Sequence, residues 1–269
     1  MRIDYHELPE LVRTAVQART GVIRSARTAE AGTNSAVAAV LETEASGRVF
    51  LKGLPEDHVS VIDQQREARV SPHIEGIGPR MLWQETAAGW DLIAFEMVEG
   101  ARHADYTPGS PDLPKLAALM GQLAKTSCPR VQMMSAGWRW GAYLDSTSDF
   151  GILEGDALLH TDYHVGNVLI TDDRAWLIDW AWATRGAAFI DPALVLPRLI
   201  AAGHSPAEAE TWAAEHPAWQ EANPEAITKF AAAISRLWSQ LADKNPHATW
   251  RRPMVEAATT WADHRAAMA

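Results

Sequence analysis

The sequence holds a single cysteine, Cys128. One thiol closes no intrachain disulfide and builds no multi-cysteine zinc site, so a reducing, cytoplasmic home is the expectation. No run of about 18 apolar residues occurs, which argues against a membrane span. The opening stretch MRIDYHELPELVR is polar and amphipathic; without an apolar h-region, no secretory signal is expected. Basic residues are in deficit. The 24 Lys+Arg stand against 34 Asp+Glu, a formal net charge of −10 at pH 7. That balance argues against nucleic acid as the main partner, and it is compatible with a cationic small substrate. A G-x4-G-K-[ST] phosphate loop is absent from the whole chain, as are internal repeats and low-complexity tracts.

What is present is ordinary for a globular protein: 269 residues, 47% hydrophobic and 22% charged. The length allows one large domain or two lobes. The texture changes near residue 100. Before it, strands are expected at 21–28, 36–43 and 48–52, forming an antiparallel meander, with two more at 80–86 and 90–98. Helices are expected at 6–18 and 57–70. Beyond 110 the chain reads as mostly helical. A helix at 112–126 carries Leu116, Leu119, Met120 and Leu123 on one face. Ser205-Pro206-Ala207-Glu208 is a strong helix start, with a cap, a proline at N1 and a capping-box glutamate. Asp191-Pro192 has the same form of cap and proline. The last two helices are expected at 224–243 and 248–267.

The chemistry concentrates in LLHTDYHVGNVLITDDRAWLIDWAW, residues 158–182. It contains His160-x-Asp162-x4-Asn167, a hairpin turn at Asp172-Asp173, and Ile178-Asp179-Trp180. A loop leaving a strand presents Asp162 at its tip. Asn167 offers an amide oxygen as the next strand begins, and the hairpin returns the chain to bring Asp179 beside it. One carboxylate and one amide oxygen are hard ligands suited to Mg²⁺ with phosphate oxygens completing its shell. The carboxylate left over, Asp162, is placed to orient or deprotonate an attacking hydroxyl.

This pattern resembles the aminoglycoside phosphotransferase and choline kinase group, which shares the protein-kinase fold. The family's H-x-D-x4-N and I-D-[WF] stand here as His160, Asp162, Asn167 and Ile178-Asp179-Trp180, and the resemblance covers nearly the whole chain. It implies a two-lobed α+β kinase-like fold, with a small antiparallel-sheet lobe at 1–99 and a larger, mainly helical lobe at 100–269. It implies that Lys52, in VFLKG, grips nucleotide phosphates and that Glu67, in QQREARV, pairs with it. Residues 93–100, with Glu96 and Val98, resemble the linker whose backbone binds adenine. Asp191-Pro192-Ala193 resembles the family's later aspartate motif. The turn at 29–35 departs from G-x-G-x-x-G, holding only Gly32. Gly32, Thr33 and Asn34 are open to two readings, a backbone that approaches phosphates or an ordinary turn.

The activity implied is transfer of the γ-phosphoryl of ATP (or GTP), with Mg²⁺, to a hydroxyl of a small molecule. A cationic antibiotic such as an aminoglycoside leads the acceptor classes, ahead of a choline-like, sugar or amino-alcohol metabolite. Glu208, Glu210, Glu215, Glu221 and Glu225 are open to reading as a cation-attracting pocket or as a wet helical face. Trp138, Trp140 and Tyr143 form a possible second pocket wall, and Trp180 and Trp182 stand near the site. His160 reads as a structural brace. His164 faces either the acceptor or nothing. Two rivals stand beside this reading. A protein kinase is disfavoured by Ile-Asp-Trp in place of Asp-Phe-Gly. A non-catalytic binder of the same fold is disfavoured because Asp162, Asn167 and Asp179 are all present. The oligomeric state is left open.

Overall fold

The computed structural model describes residues 2–29 and 34–268, and the chain folds as two units. The first comprises Met1–Ala101 with Trp176–Ala181; the second comprises Arg102–Ala175 with Trp182–Ala269.

Five antiparallel strands make the sheet of the first unit: β1 (Ile23–Thr28), β2 (Val37–Thr43), β3 (Gly47–Pro55), β4 (Met81–Ala87) and β5 (Trp90–Glu96), in the order β1-β2-β3-β5-β4. Period-two alternation assigns its faces. Val37, Ala39 and Leu41 of β2 and Val49 and Leu51 of β3 join one core cluster with Val12 and Val16 of α1 (Glu10–Thr20). Lys52, one residue out of phase with Leu51, therefore belongs to the opposite face. There Ile93 and Phe95 of β5 pack with Ala68 of α2 (Val61–Val70). The two helices thus cover opposite faces, and the face of α2 is the one that receives Lys52.

Two boundaries differ from the sequence expectation because of proline. Helix α1 begins at Glu10 rather than at residue 6; Pro9 is its N-cap, and a separate 3₁₀ turn occupies Tyr5–Glu7. The final helix, α9, begins at Arg252 rather than at 248 because Pro253 is tolerated only in a first turn. Beside Lys52, Gly53 has no room for a side chain: a Cβ there would lie 2.6 Å from Leu92 Cδ2 and 2.8 Å from Val37 Cγ1. Gly53→Ala is therefore expected to destabilise the first unit by about 1–3 kcal/mol through overpacking, read as a lowered denaturant midpoint at unchanged slope.

The second unit is mainly helical. In chain order it contains β6 (Arg102–His103), α3 (Asp112–Leu123), β7 (Met134–Ser135), α4 (Ala136–Trp140), β8 (Ala157–Leu159) and β9 (Val168–Ile170). Strand β10 (Ala175–Leu177) runs into the segment that belongs to the first unit. The second unit resumes with β11 (Thr184–Gly186), α5 (Ile190–Ala201), α6 (Pro206–Ala213), α7 (Pro217–Gln220), α8 (Pro224–Lys244) and α9 (Arg252–Ala266). Short ladders join β6 to β9, and β11 to both β7 and β8. Phe230 of α8 meets Trp140 of α4 and Phe189 edge-on, at centroid distances of 5.5 and 5.7 Å. These buried rings anchor α4, α5 and α8 in one core. The capping box at the start of α6 forms as expected: Ser205 Oγ accepts from Glu208 N–H, and Glu208 Oε2 accepts from Ser205 N–H at 2.8 Å. No helix among the described residues is long and apolar enough to cross a membrane.

Candidate active site

Within the first unit, Lys52, Glu67 and Asp179 come together. Lys52 Nζ donates to Glu67 Oε2 at 2.8 Å and Oε1 at 3.1 Å, and its salt bridge to Asp179 Oδ1 measures 3.3 Å. The Lys52 side chain is 14% exposed and that of Glu67 4%, against 35% for Asp179. Trp180 N–H also donates to Glu67 Oε1, at 3.3 Å. Burial penalises the Lys52 ammonium, but the charges of Asp179 and Glu67 outweigh it and hold the lysine above its ordinary range. Burial likewise raises Glu67; Lys52 opposes that rise and the Asp179 charge adds to it. Two carboxylates thus face the Lys52 ammonium, and Asp179 is the more exposed of them. Its backbone stands at φ +64°, in the left-handed region that favours glycine.

Within the second unit, Asp162 and Asn167 come together on the connection from β8 to β9. Asp162 Oδ2 accepts from Asn167 Nδ2 at 2.8 Å. Asp162 Oδ1 accepts from Arg198 Nη2 at 2.8 Å. The Asp162 side chain is 26% exposed, so its remaining lone pairs are open to a ligand hydroxyl. Because Asn167 gives its NH₂ to Asp162, its amide oxygen is left for another partner. His160 is fully buried, and its Nδ1 accepts from Asp162 N–H at 3.3 Å, in keeping with a bracing role.

Asp191 is the hub of this loop. Its sequence suggests a helix cap, yet Phe189 is the N-cap of α5 and Asp191 lies inside the first turn. The carboxylate turns instead to the loop: Oδ2 accepts from His160 N–H at 2.9 Å and Tyr163 OH at 2.8 Å, and Oδ1 accepts from Thr161 N–H at 3.0 Å. Three donors satisfied by one buried carboxylate fix a loop that includes Thr161 at φ +72°, a costly position for a β-branched residue. Arg139 adds to the clamp by donating to Thr161 Oγ1, Thr184 Oγ1 and Trp182 O.

Burial pushes the Asp191 carboxyl up to about 6, against the lowering effect of its hydrogen bonds. The native state therefore binds this proton more tightly than the unfolded chain does. The stability contributed by Asp191 is highest near pH 4 and falls as pH rises through about 6, by roughly 3 kcal/mol at about 1.4 kcal/mol per pH unit. In thermal melts across that window, Asp191→Asn should remove this downward slope relative to wild type. Parallel curves for the two proteins would refute the assignment.

The hairpin turn forms where the sequence places it. Thr171 N–H donates to Arg174 O at 2.9 Å, and Lys115 Nζ pins the turn by donating to Thr171 O at 2.8 Å and Asp172 O at 2.9 Å. Glu96 closes β5, and its Oε1 accepts from Arg80 N–H at 2.9 Å. Val98 lies just past the last pair of the ladder, Val49–Glu96. Asn34 is an exposed bend residue, while Gly32 and Thr33 lie outside the described residues. The acidic residues of 205–225 are mostly in structural use. Glu208 closes the α6 cap. Glu210 accepts from Trp261 Nε1 at 2.9 Å and Arg265 Nη1 at 3.1 Å. Glu225 pairs with Lys229 at 2.7 Å.

Arg198 is the residue that sequence reading misses. It lies 36 positions from Asp162, and no spacing rule links them. Its signal is being the one basic residue in a helix, IDPALVLPRLIA, whose other charge is Asp191: a guanidinium on a mostly buried helix requires a partner. It follows Asp191 by seven residues, two turns along one helix face, so α5 serves the loop twice.

The donor chemistry suits a divalent ion. Among the described residues, no group of three or more His, Cys, Asp or Glu could hold a metal by itself. Asp179 supplies a carboxylate oxygen in the first unit and Asn167 an amide oxygen in the second; each is of the hard type that a divalent ion takes beside waters and phosphate oxygens.

Residues 138–228 match the phosphotransferase enzyme family. A comparison with curated proteins finds no significant sequence match. Among solved structures, the choline kinase LicA from Streptococcus pneumoniae superposes with a TM-score of 0.66 at 14% identity, over 94% of this chain and 98% of that one. LicA in complex with AMP gives 0.65 at 13% identity, over 94% and 97%. An aminoglycoside phosphotransferase from Alicyclobacillus acidocaldarius gives 0.60 at 15%, over 99% and 96%. The macrolide 2'-phosphotransferase MphH from Brachybacterium faecium gives 0.54 at 18%, over 92% and 96%. The resemblance read from the sequence and the kinase-like α+β fold class are both borne out.

Proposed function

We infer that this chain acts as a member of the phosphotransferase enzyme family, moving the γ-phosphoryl group of ATP to a hydroxyl of a small molecule. One observation carries the reading. The residue types needed to hold nucleotide phosphates gather as Lys52, Glu67 and Asp179, and those needed to receive a proton gather as Asp162, Asn167 and Arg198. LicA bound to AMP supports a nucleotide as the ligand of this fold.

In this reading Lys52, held by Glu67, binds the phosphates through its ammonium. The backbone of Glu96–Val98 binds the base. Asn167 and Asp179 would hold Mg²⁺, which would neutralise charge developing on the phosphates. Asp162 accepts the acceptor hydroxyl's proton as the new P–O bond forms and the bond to the leaving ADP breaks. Asn167 and Arg198 keep the carboxylate aimed. Catalysis is then chiefly positioning and charge stabilisation. A cytoplasmic setting, where ATP is abundant, remains our expectation.

The fold neighbours include a choline kinase, an aminoglycoside phosphotransferase and a macrolide phosphotransferase, which set the compounds to try. Purified protein with ATP and Mg²⁺ should consume ATP only when the right hydroxyl compound is present, and that compound should gain one phosphoryl group by mass. ATP loss that is the same with and without every acceptor, and the same in Asp162→Ala, would sink the reading. Asp179→Ala should in addition weaken nucleotide binding in the presence of Mg²⁺ and leave the Mg²⁺-free affinity nearly unchanged, as measured by calorimetry.

A further inference from the structure

A cavity of about 290 Å³ opens in the second unit beside the Asp162 loop. Its apolar lining comes from Ala104, Tyr106, Val165, Ala201, Ala202 and Met254. Tyr106 contributes ring rather than hydroxyl, because its OH donates to Tyr163 O at 3.1 Å. Arg198 lines the cavity and simultaneously binds Asp162 Oδ1, so the cavity lies one side chain away from the proton acceptor. Of the five N–H donors on a guanidinium, Asp162 draws on Nη2, leaving those of Nε and Nη1. His164 is the second donor. Its Nδ1 accepts from Gly166 N–H at 3.0 Å, which leaves the ring proton on Nε2.

Carboxylates are scarce there. Asp105 is the one acidic residue in the lining, and it is exposed. Thr107 occupies both its oxygens, with N–H to Oδ1 and Oγ1 to Oδ2, each at 2.9 Å. A rim carboxylate is screened by solvent and salt. A cation entering deeper would meet the Arg198 guanidinium, whose pairing with Asp162 already engages that carboxylate. None of the acidic residues of 205–225 lines the cavity.

We propose that this cavity is the acceptor pocket and that it selects a compact hydroxyl compound with an apolar body and a carboxylate or other electron-rich head, received by Arg198 and His164, in preference to a cation. This rests on the phosphotransferase reading and narrows it. The volume is at the lower end of small-molecule sites, about 300–1,000 Å³, so a compact acceptor fits whole.

The test uses three benzyl alcohols of matched shape, bearing a para carboxylate, carboxamide or aminomethyl group, with choline and an aminoglycoside alongside. With the full chain, ATP and Mg²⁺, the carboxylate and amide compounds should exceed the ammonium compound at least tenfold in kcat/KM. In Arg198→Met that preference should collapse whatever happens to kcat, because the ratio between acceptors cancels a shared loss. Ala202→Glu, which adds a carboxylate to the wall, should shift preference toward the ammonium compound. Faster turnover of the ammonium compound, choline or the aminoglycoside by the wild-type chain overturns the proposal and leaves the phosphotransferase reading intact. Absence of phosphorylation in every case defeats that reading instead. Calorimetry on the unmodified chain then decides the pocket by itself. Tighter binding of the carboxylate compound, lost in Arg198→Met, upholds the proposal; equal affinity, the reverse order or no binding overturns it.

Discussion

Asp162→Asn should lower kcat for phosphoryl transfer by about 10²–10⁴-fold, the usual contribution of a positioned general base. The substitution keeps the shape of the side chain and removes its capacity to take a proton. Its amide oxygen can still accept from Arg198 Nη2, the bond now made at 2.8 Å. Asn167 Nδ2, now 2.8 Å from Oδ2, would face a second NH₂ until one of the amides turned over. The fold should therefore survive, and nucleotide affinity should stay within a few-fold of wild type. A fall in kcat with unchanged KM for ATP is the signature of an interaction made only in the transition state. Steady-state kinetics with binding measured in parallel makes the comparison. A variant retaining most of its turnover would remove Asp162 from the role assigned to it.

Lys52→Met should act on both stability and activity. The ammonium it removes pairs with both Glu67, 4% exposed, and Asp179. Taking one partner from a buried ion pair leaves an uncompensated charge, at a cost of about 3–5 kcal/mol. For a protein of this size that corresponds to a melting point lowered by roughly 10 °C. The deficit should be smaller in mild acid. Burial and the Asp179 charge already raise Glu67, and without Lys52 the hydrogen bond from Trp180 N–H is left to oppose them. The variant's native state then binds a proton that the unfolded chain releases, so its stability falls as pH rises. Removing both partners in Lys52→Met/Glu67→Leu should recover most of the melting point, since no buried charge remains unpaired. Transfer should remain low in both, because neither has a cation for the phosphates. A double variant as active as wild type would mean that the pair serves the fold alone.

Much of the site was legible because it is local. His160, Asp162 and Asn167 lie within eight residues, and the turn at Asp172-Asp173 follows at once, so short-range geometry brings Asp162 to Asn167 without help from distant chain. Lys52 was legible in a different way. Alternation along β3 decides its face once Val49 and Leu51 are taken by the core, and Glu67 belongs to the helix on that face. The capping box at Ser205 is equally local. Asp191 shows the limit. Its neighbours make a sound cap motif, but its carboxylate satisfies the backbone N–H groups of His160 and Thr161, some thirty positions earlier. Those buried donors outcompete a helix end that can find other partners.

From the residues alone came the pattern 160–180, the order of strands and helices, and the alternation that turns Lys52 away from the core. These follow from spacing over a few residues, where backbone geometry leaves few choices. Tertiary structure decided that Arg198 meets Asp162, that Asp191 holds the loop, and that Glu208, Glu210 and Glu225 are held by structural partners. Each of these joins side chains to groups whose distance along the chain carries no information, because only packing of the whole unit brings them within hydrogen-bonding reach. A buried charge must find a partner, and nothing in a local stretch of sequence says which.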